Sequence, residues 1–257
     1  MSASQIPGAV PSAPGILFVL STILDPPSSG LSPASFTDWY ENTHIQEVQS
    51  TGGISRSWRY EALPFLQFFR GKEFSRFSGE TTPRNRNLDF DFATVYHMPD
   101  LAFRETEAFR GLDGQTAPRR ELLEGLFERV KFITRFAEEV GASTPSESSS
   151  SSDPAPFVVT VAPLAGGGSI PTLEHLEGLR GIRRYKVHEG SLLERFERSW
   201  LDEPTEMVLL ELEGEEGVLA ASEAVGEAEG LEVGFWGLRR DYDGGERTPK
   251  GWSPGQD

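Results

Sequence analysis

With no cysteine and four histidines, this chain has few side chains that exchange protons near neutral pH. The densest grouping is Phe36-Thr-Asp-Trp-Tyr-Glu-Asn-Thr-His-Ile-Gln-Glu-Val48. Phe36, Tyr40, His44 and Val48 recur every four residues with Ile45 alongside, which predicts one inward face of an amphipathic helix. An imidazole titrates near neutrality and works as base or acid without a metal. A phenol one turn earlier on the same face can hydrogen-bond a substrate oxygen. His44 and Tyr40 are therefore candidate catalytic residues, set against the plainer role of a core histidine and a packing tyrosine.

Two strands offer further candidates. Leu88 to His97 alternates, with Phe90, Phe92, Thr94 and Tyr96 on one face and Asp91, Ala93, Val95 and His97 on the other. A carboxylate on a sheet face is costly unless paired or used. If that face looks toward the helices, Asp91 orients His44 or His97 and both join the catalytic set. If it is the wet face, the aromatic set is core. Ile54 to Glu61 reads as a strand whose Trp58 and Tyr60 would wall a flat pocket together with Trp39. Arg56 and Arg59 fall on opposite faces of it, and Arg59 is a candidate for holding a carboxylate or phenolate. His175 and His188 lack aromatic company and read as surface residues. The wide spacing of the histidines gives no metal-ligand pattern, Gly166-Gly-Gly168 lacks the lysine of a phosphate-binding loop, and Gly-x-Ser-x-Gly is absent. The expectation is a site with no metal and no cofactor.

The elements that must position these groups fall into two similar sets. An arm, 1–13, precedes an apolar run, Ile16 to Ile23, with the character of a strand covered on both faces. Ser32 and Pro33 read as N-cap and first residue of the helix, and Thr51-Gly-Gly53 as its stop. Helical stretches near 99–110 and 118–128 and a strand from Val130 to Phe136 complete a first repeat, 14–140. Within it, residues 62–87 mix aromatic and basic side chains in a long insertion. A Ser-rich linker, 141–155, leads to a second repeat, 156–243, and a tail, 244–257. The second repeat has strands near Pro156–Leu164, Ile182–His188, Glu206–Glu213 and Leu231–Arg239, a helix at Gly217–Glu227 and a short one near 172–179. Each repeat predicts a four-stranded antiparallel sheet with an uncovered apolar face, and pairing the two buries both.

Composition narrows the partners. A net charge of −16 argues against nucleic acid and anionic membranes, which need a positive face. No apolar run approaches the ~20 residues of a membrane span, and the N-terminus has no signal-peptide pattern. With cysteine absent, the expectation is a cytoplasmic protein.

The stretch Phe36-x-x-Trp39-Tyr40-x-x-x-His44-Ile45-x-x-Val48, followed by Gly52-Gly53 and a strand, resembles the EthD-like branch of the dimeric α/β-barrel superfamily. The resemblance covers residues 14 to 137; beyond them it extends to element order alone. Gln46 stands where an acidic residue or proline is usual, and the 62–87 insertion is additional. The resemblance implies an α+β fold in which two ferredoxin-like repeats pair their sheets into one intramolecular barrel, so the chain needs no second copy. It also implies chemistry like that of fungal secondary-metabolism relatives. The expected function is a cofactor-independent lyase or cyclase acting on an aromatic or polyketide-derived small molecule. The alternatives are a cofactor-independent monooxygenase acting on an anthrone-like phenol, and a non-catalytic small-molecule binding protein.

Overall fold

The computed structural model describes residues 10–63, 90–143, 153–163, 168–201, 205–226 and 230–242. Most of the 62–87 insertion, the centre of the linker, the start of the arm and the tail lie outside them. Strands β1 (Gly15–Ile23), β2 (Arg56–Ala62), β3 (Phe92–Met98) and β4 (Val130–Ser143) make the first half. The second contains β5 (Phe157–Pro163), β6 (Leu179–Glu194), β7 (Glu197–Trp200), β8 (Glu206–Leu212) and β9 (Leu231–Tyr242). The sheet order is β4-β1-β3-β2-β9-β5-β8-β6, and β6 returns to β4. Each half thus repeats the order fourth, first, third, second strand of a ferredoxin-like unit. Every pairing within the ring is antiparallel, and the ring of eight strands is closed. The expected intramolecular α/β barrel is therefore the fold of this chain.

Closure gives every strand residue one of two addresses, because successive side chains alternate between faces. One core cluster draws residues from all eight ring strands, among them Phe18, Tyr60, Val95, Ile133, Val158, Tyr185, Leu209 and Trp236. Such a cluster is the lumen. A second, with Leu17, Val19, Phe92, Tyr96, Phe132 and Phe136, packs the outer face of the first half beneath its helices. A third, with Val161, Leu210 and Val233, lies beneath the second-half helix.

Helix α1 is the short Pro26–Ser29. Helix α2 begins at Pro33, where the Ser32 hydroxyl accepts from the Ser35 N–H at 3.0 Å. It runs through Trp39, passes a π-helical turn at Tyr40–His44 and continues as Ile45–Ser50. Gly52 then takes a left-handed φ of 80°, and a side chain at Gly53 would run into the Phe103 ring, so both glycines serve the exit. The predicted helices at 99–110 and 118–128 are broken into 3₁₀ turns and two short helices, α3 (Glu107–Arg110) and α4 (Arg120–Gly125). The second half carries α5 (Glu215–Gly226).

Three sequence expectations are corrected. No helix forms near 172–179; turns lie there, with Leu173 buried in the outer core. The strand expected at Ile182–His188 is twice that length because it pairs with β4, β8 and β7 in succession. Residues 141–143 of the expected linker still belong to β4, opposite Arg184 to Ile182.

The lumen also holds a buried ion pair. Arg135 Nη1 and Nη2 donate to Glu232 Oε1 and Oε2 at 2.8 and 3.1 Å across the halves. Removing one partner of such a pair strands a charge and costs roughly 3–5 kcal/mol, whereas apolar replacement of both is far milder. Urea denaturation should show Glu232→Leu strongly destabilised and Arg135→Met/Glu232→Leu partly restored. A double variant no better than the single would contradict this reading of the pair.

Candidate active site

The outer core of the first half encloses a cavity of about 60 Å³ between α2 and the sheet, lined by Trp39, Tyr40, His44, Tyr96 and apolar side chains from β1, β4 and the helices. The π-turn explains how α2 presents its residues. A turn closed by the Ile45 N–H on the Tyr40 carbonyl lengthens one helical turn by a residue, which places Tyr40 and His44 almost above one another. Their ring centroids lie 5.2 Å apart, edge to face, and Trp39 stacks on His44 at 4.9 Å while meeting Tyr40 edge to face at 5.6 Å.

His44 Nδ1 is sealed from solvent and has no hydrogen-bond partner. Burial, reinforced by the Arg59 charge, lowers the imidazole pKa to about 4, so the ring is neutral at pH 7. The Tyr96 hydroxyl donates to the Tyr40 hydroxyl at 3.4 Å. Burial and the neighbouring Tyr40 hold the Tyr96 phenol well above its ordinary pKa, so it stays protonated. Elsewhere on the cavity wall, burial raises the Asp113 carboxyl, with Arg119 partly opposing the shift. The site thus pairs a base pushed down with an acid pushed up, the pattern that separates proton acceptor from proton donor.

Arg59 lies behind this wall. Its guanidinium is fully buried, 3.8 Å from the Tyr40 ring centroid and 4.3 Å from that of Phe92, and Nη1 donates to Thr94 Oγ1 at 3.2 Å. Its nearest carboxylate is Glu41, with Nε 3.7 Å away. Arg59 therefore reaches the cavity through the Tyr40 ring and does not line it, unlike the substrate-holding arginine expected from sequence.

The remaining sequence candidates part company. Trp58, Tyr60 and His97 point into the lumen, on the opposite face of the sheet from His44. A single pocket walled by Trp39, Trp58 and Tyr60 is ruled out by strand alternation. Asp91 meets neither histidine: it is exposed at the foot of β3, and its Oδ2 accepts from Thr22 Oγ1 at 2.7 Å. His97 instead has Nδ1 2.6 Å from Ser55 Oγ. His188, expected at the surface, is partly buried with Nε2 2.8 Å from Glu138 Oε2.

Several cavity residues were missed from sequence. Tyr96 belongs to the aromatic face of β3, which reads as core from sequence if the Asp91 face is the wet one. Asp113 and Gln115 come from an irregular turn, and no periodicity marks them. Leu193 and Arg198 arrive from the second half, where Arg198 donates to Ser191 Oγ at 2.8 Å and to the Gly114 carbonyl at 2.6 Å, pinning the turn that covers the cavity. The site belongs to both halves. Among the described residues, no cluster of three or more His, Asp or Glu is placed to hold a metal ion, and no helix is long and apolar enough to cross a membrane.

No protein-family profile and no curated protein matches the chain. Among solved structures it is similar to an anthrone oxidase-like protein, at 11% identity and a TM-score of 0.48, over 94% of this chain and 99% of that one. Two proteins provisionally named monooxygenases are also similar. The one from Fusobacterium nucleatum is 11% identical at a TM-score of 0.41, over 89% of this chain and 94% of that one. The one from Lactobacillus acidophilus is 10% identical at 0.40, over 89% and 95%. Likeness this distant carries no reaction across, and the functional reading rests on the cleft.

The neutral imidazole has a measurable consequence. In the unfolded chain a histidine binds its proton near pH 6.5, whereas folded His44 does so near pH 4. The unfolded state therefore binds more protons between those values, and stability falls as pH drops through that window. The loss is roughly 2–3 kcal/mol after allowance for the partial solvent access of the ring. His44→Gln should lose less stability than wild type between pH 7 and pH 4.5 in urea titrations. Equal losses would place the imidazole proton elsewhere.

Proposed function

We propose that the cleft is the active site of an enzyme that moves a proton on a small aromatic or polyketide-derived molecule, with His44 as base. The observation that carries this reading is a neutral, half-buried imidazole on the wall of an apolar cavity, its Nδ1 without a hydrogen-bond partner and two phenols beside it. An isolated imidazole of low pKa is a weak base in the empty site. It gains basicity as negative charge develops on a substrate next to it, because an imidazolium–anion pair in a dry cavity is strongly attractive. Tyr40 would donate to the substrate oxygen on which that charge settles. The positive potential of Arg59 behind its ring favours the same charge distribution.

Asp113 completes a lyase. Once His44 has taken a proton from carbon, the Asp113 carboxyl, whose hold on a proton burial strengthens, could pass one to a departing hydroxyl, which leaves as water. Ring closure would use the same base and the same oxyanion donors; in decarboxylation carbon dioxide would leave and the carbanion take up a proton while the phenols hold the developing charge. A cofactor-free monooxygenase needs the first step only. There the carbanion of a phenolic methylene meets dioxygen, one oxygen atom enters as a carbonyl, and the other leaves as water with the two hydrogens.

The cavity is smaller than the ~150 Å³ space known to admit benzene, so an aromatic substrate enters by displacing the 112–116 turn held by Arg198. Specificity then follows from how far that turn yields.

Product mass separates the readings. Incubated with a panel of aromatic polyketide intermediates, the wild-type protein should release a product lighter by water or carbon dioxide. His44→Gln should lower turnover ~10²–10⁴-fold, and Asp113→Asn should also impair it. A product heavier by oxygen assigns the monooxygenase. Ligand that binds and leaves unchanged in both proteins assigns a carrier and removes the enzyme.

A further inference from the structure

A separate cavity lies at one mouth of the lumen, with a volume of about 370 Å³, and strand alternation separates it from the cleft. Its floor is apolar, with Ile16, Val95 and Leu209, and its walls are the aromatic rings of Trp58, Tyr60 and Tyr185. A cavity of several hundred cubic ångströms with aromatic walls and a few polar groups has the make-up of a small-molecule site.

The polar groups define what would fit. Tyr60 and Tyr185 are buried side chains whose hydroxyls have no hydrogen-bond partner among the described residues, and neither hydroxyl is sealed off. Burial and nearby carboxylates raise both phenols above their ordinary pKa, so both remain O–H donors at neutral pH. The cations at the rim are already matched. Arg56 pairs with Asp241 at 2.7 Å, and Arg183 pairs with Glu211 at 2.9 Å and Glu139 at 3.5 Å. That leaves donors in want of an acceptor, and both arginines that line the cavity already face carboxylates, so an anion has no open cation to pair with. Exposed Ser55 and Asp153 on the rim mark the open side.

We infer that the barrel mouth is a second ligand site, for a flat, uncharged aromatic molecule that presents a carbonyl oxygen to Tyr60 and Tyr185. The ring system would lie against Trp58, over which the Arg56 guanidinium already stacks at 5.6 Å. This site uses none of the cleft residues and stands whether or not the cleft is catalytic.

Coumarin is a suitable probe, being flat, uncharged and soluble with a single carbonyl. It would be titrated into the ¹⁵N-labelled full chain while the assigned tryptophan indole signals are followed. The Trp58 signal should shift saturably while that of Trp39, in the cleft, stays in place, and His44→Gln should bind equally well. Tyr185→Phe and Tyr60→Phe keep the rings and remove the donors, and each should weaken binding ~5-fold. An unmoved Trp58 signal at millimolar coumarin, shifts confined to Trp39, or undiminished affinity in the Tyr60→Phe/Tyr185→Phe double variant would overturn the assignment.

Discussion

Because β4 bonds β6 from Lys131↔Glu194 to Ser143↔Ile182, and β2 bonds β9 from Ser57↔Tyr242 to Ala62↔Trp236, neither half keeps a free edge within the ring. Closure gives the sheet two buried faces, and the side-chain period of two then decides which interior each residue serves. The candidate residues divide along that line. His44 on α2 meets Tyr96 because Tyr96 shares the outer face of β3 with Phe92 and Thr94. His97, one residue later, is committed to the lumen. No rearrangement short of a register slip would bring the two histidines together.

Within that frame a buried cation organises the cleft. Arg59 is fully buried, and beyond one hydrogen bond to Thr94 its Nε and Nη2 have no hydrogen-bond partners. Its compensation is spread over the faces of Tyr40 and Phe92 and the carboxylate of Glu41. Glu41 in turn accepts from Arg239 Nε at 2.6 Å and Arg240 Nη1 at 3.3 Å, both on β9 of the second half. The π-turn, the neutral state of His44 and the joining of the halves are thus linked through one charge network. The second half, with turns where the first has α2, supplies β9 arginines to this network and the β7 hairpin to the cavity wall.

Much of this was legible in the sequence. The i+4 recurrence of Phe36, Tyr40, His44 and Val48 identifies α2 and its inward face, and the doubled element order identifies two sheets that must pair; their closure into one barrel is what the family resemblance implies. Asp91 was misplaced because alternation gives the two faces of a strand without saying which looks toward the helices, and it stands just outside β3, where the ladder no longer constrains it. Asp113 and Arg198 were invisible because an irregular turn and a short hairpin from the other half reach the cavity through tertiary contacts that no local pattern encodes. The π-turn was hidden too, since the i+4 recurrence of apolar residues runs through it without marking the one-residue lengthening.

The central claim is that His44 removes a proton from a bound aromatic molecule, and hydrogen–deuterium exchange tests that step without turnover. An anthrone-type phenol with an acidic methylene, held with the protein in deuterium oxide under argon, should exchange that methylene faster than in buffer. His44→Gln should abolish the acceleration while still binding the phenol. Equal exchange with both proteins, or none with wild-type protein to which the phenol is bound, would contradict the account.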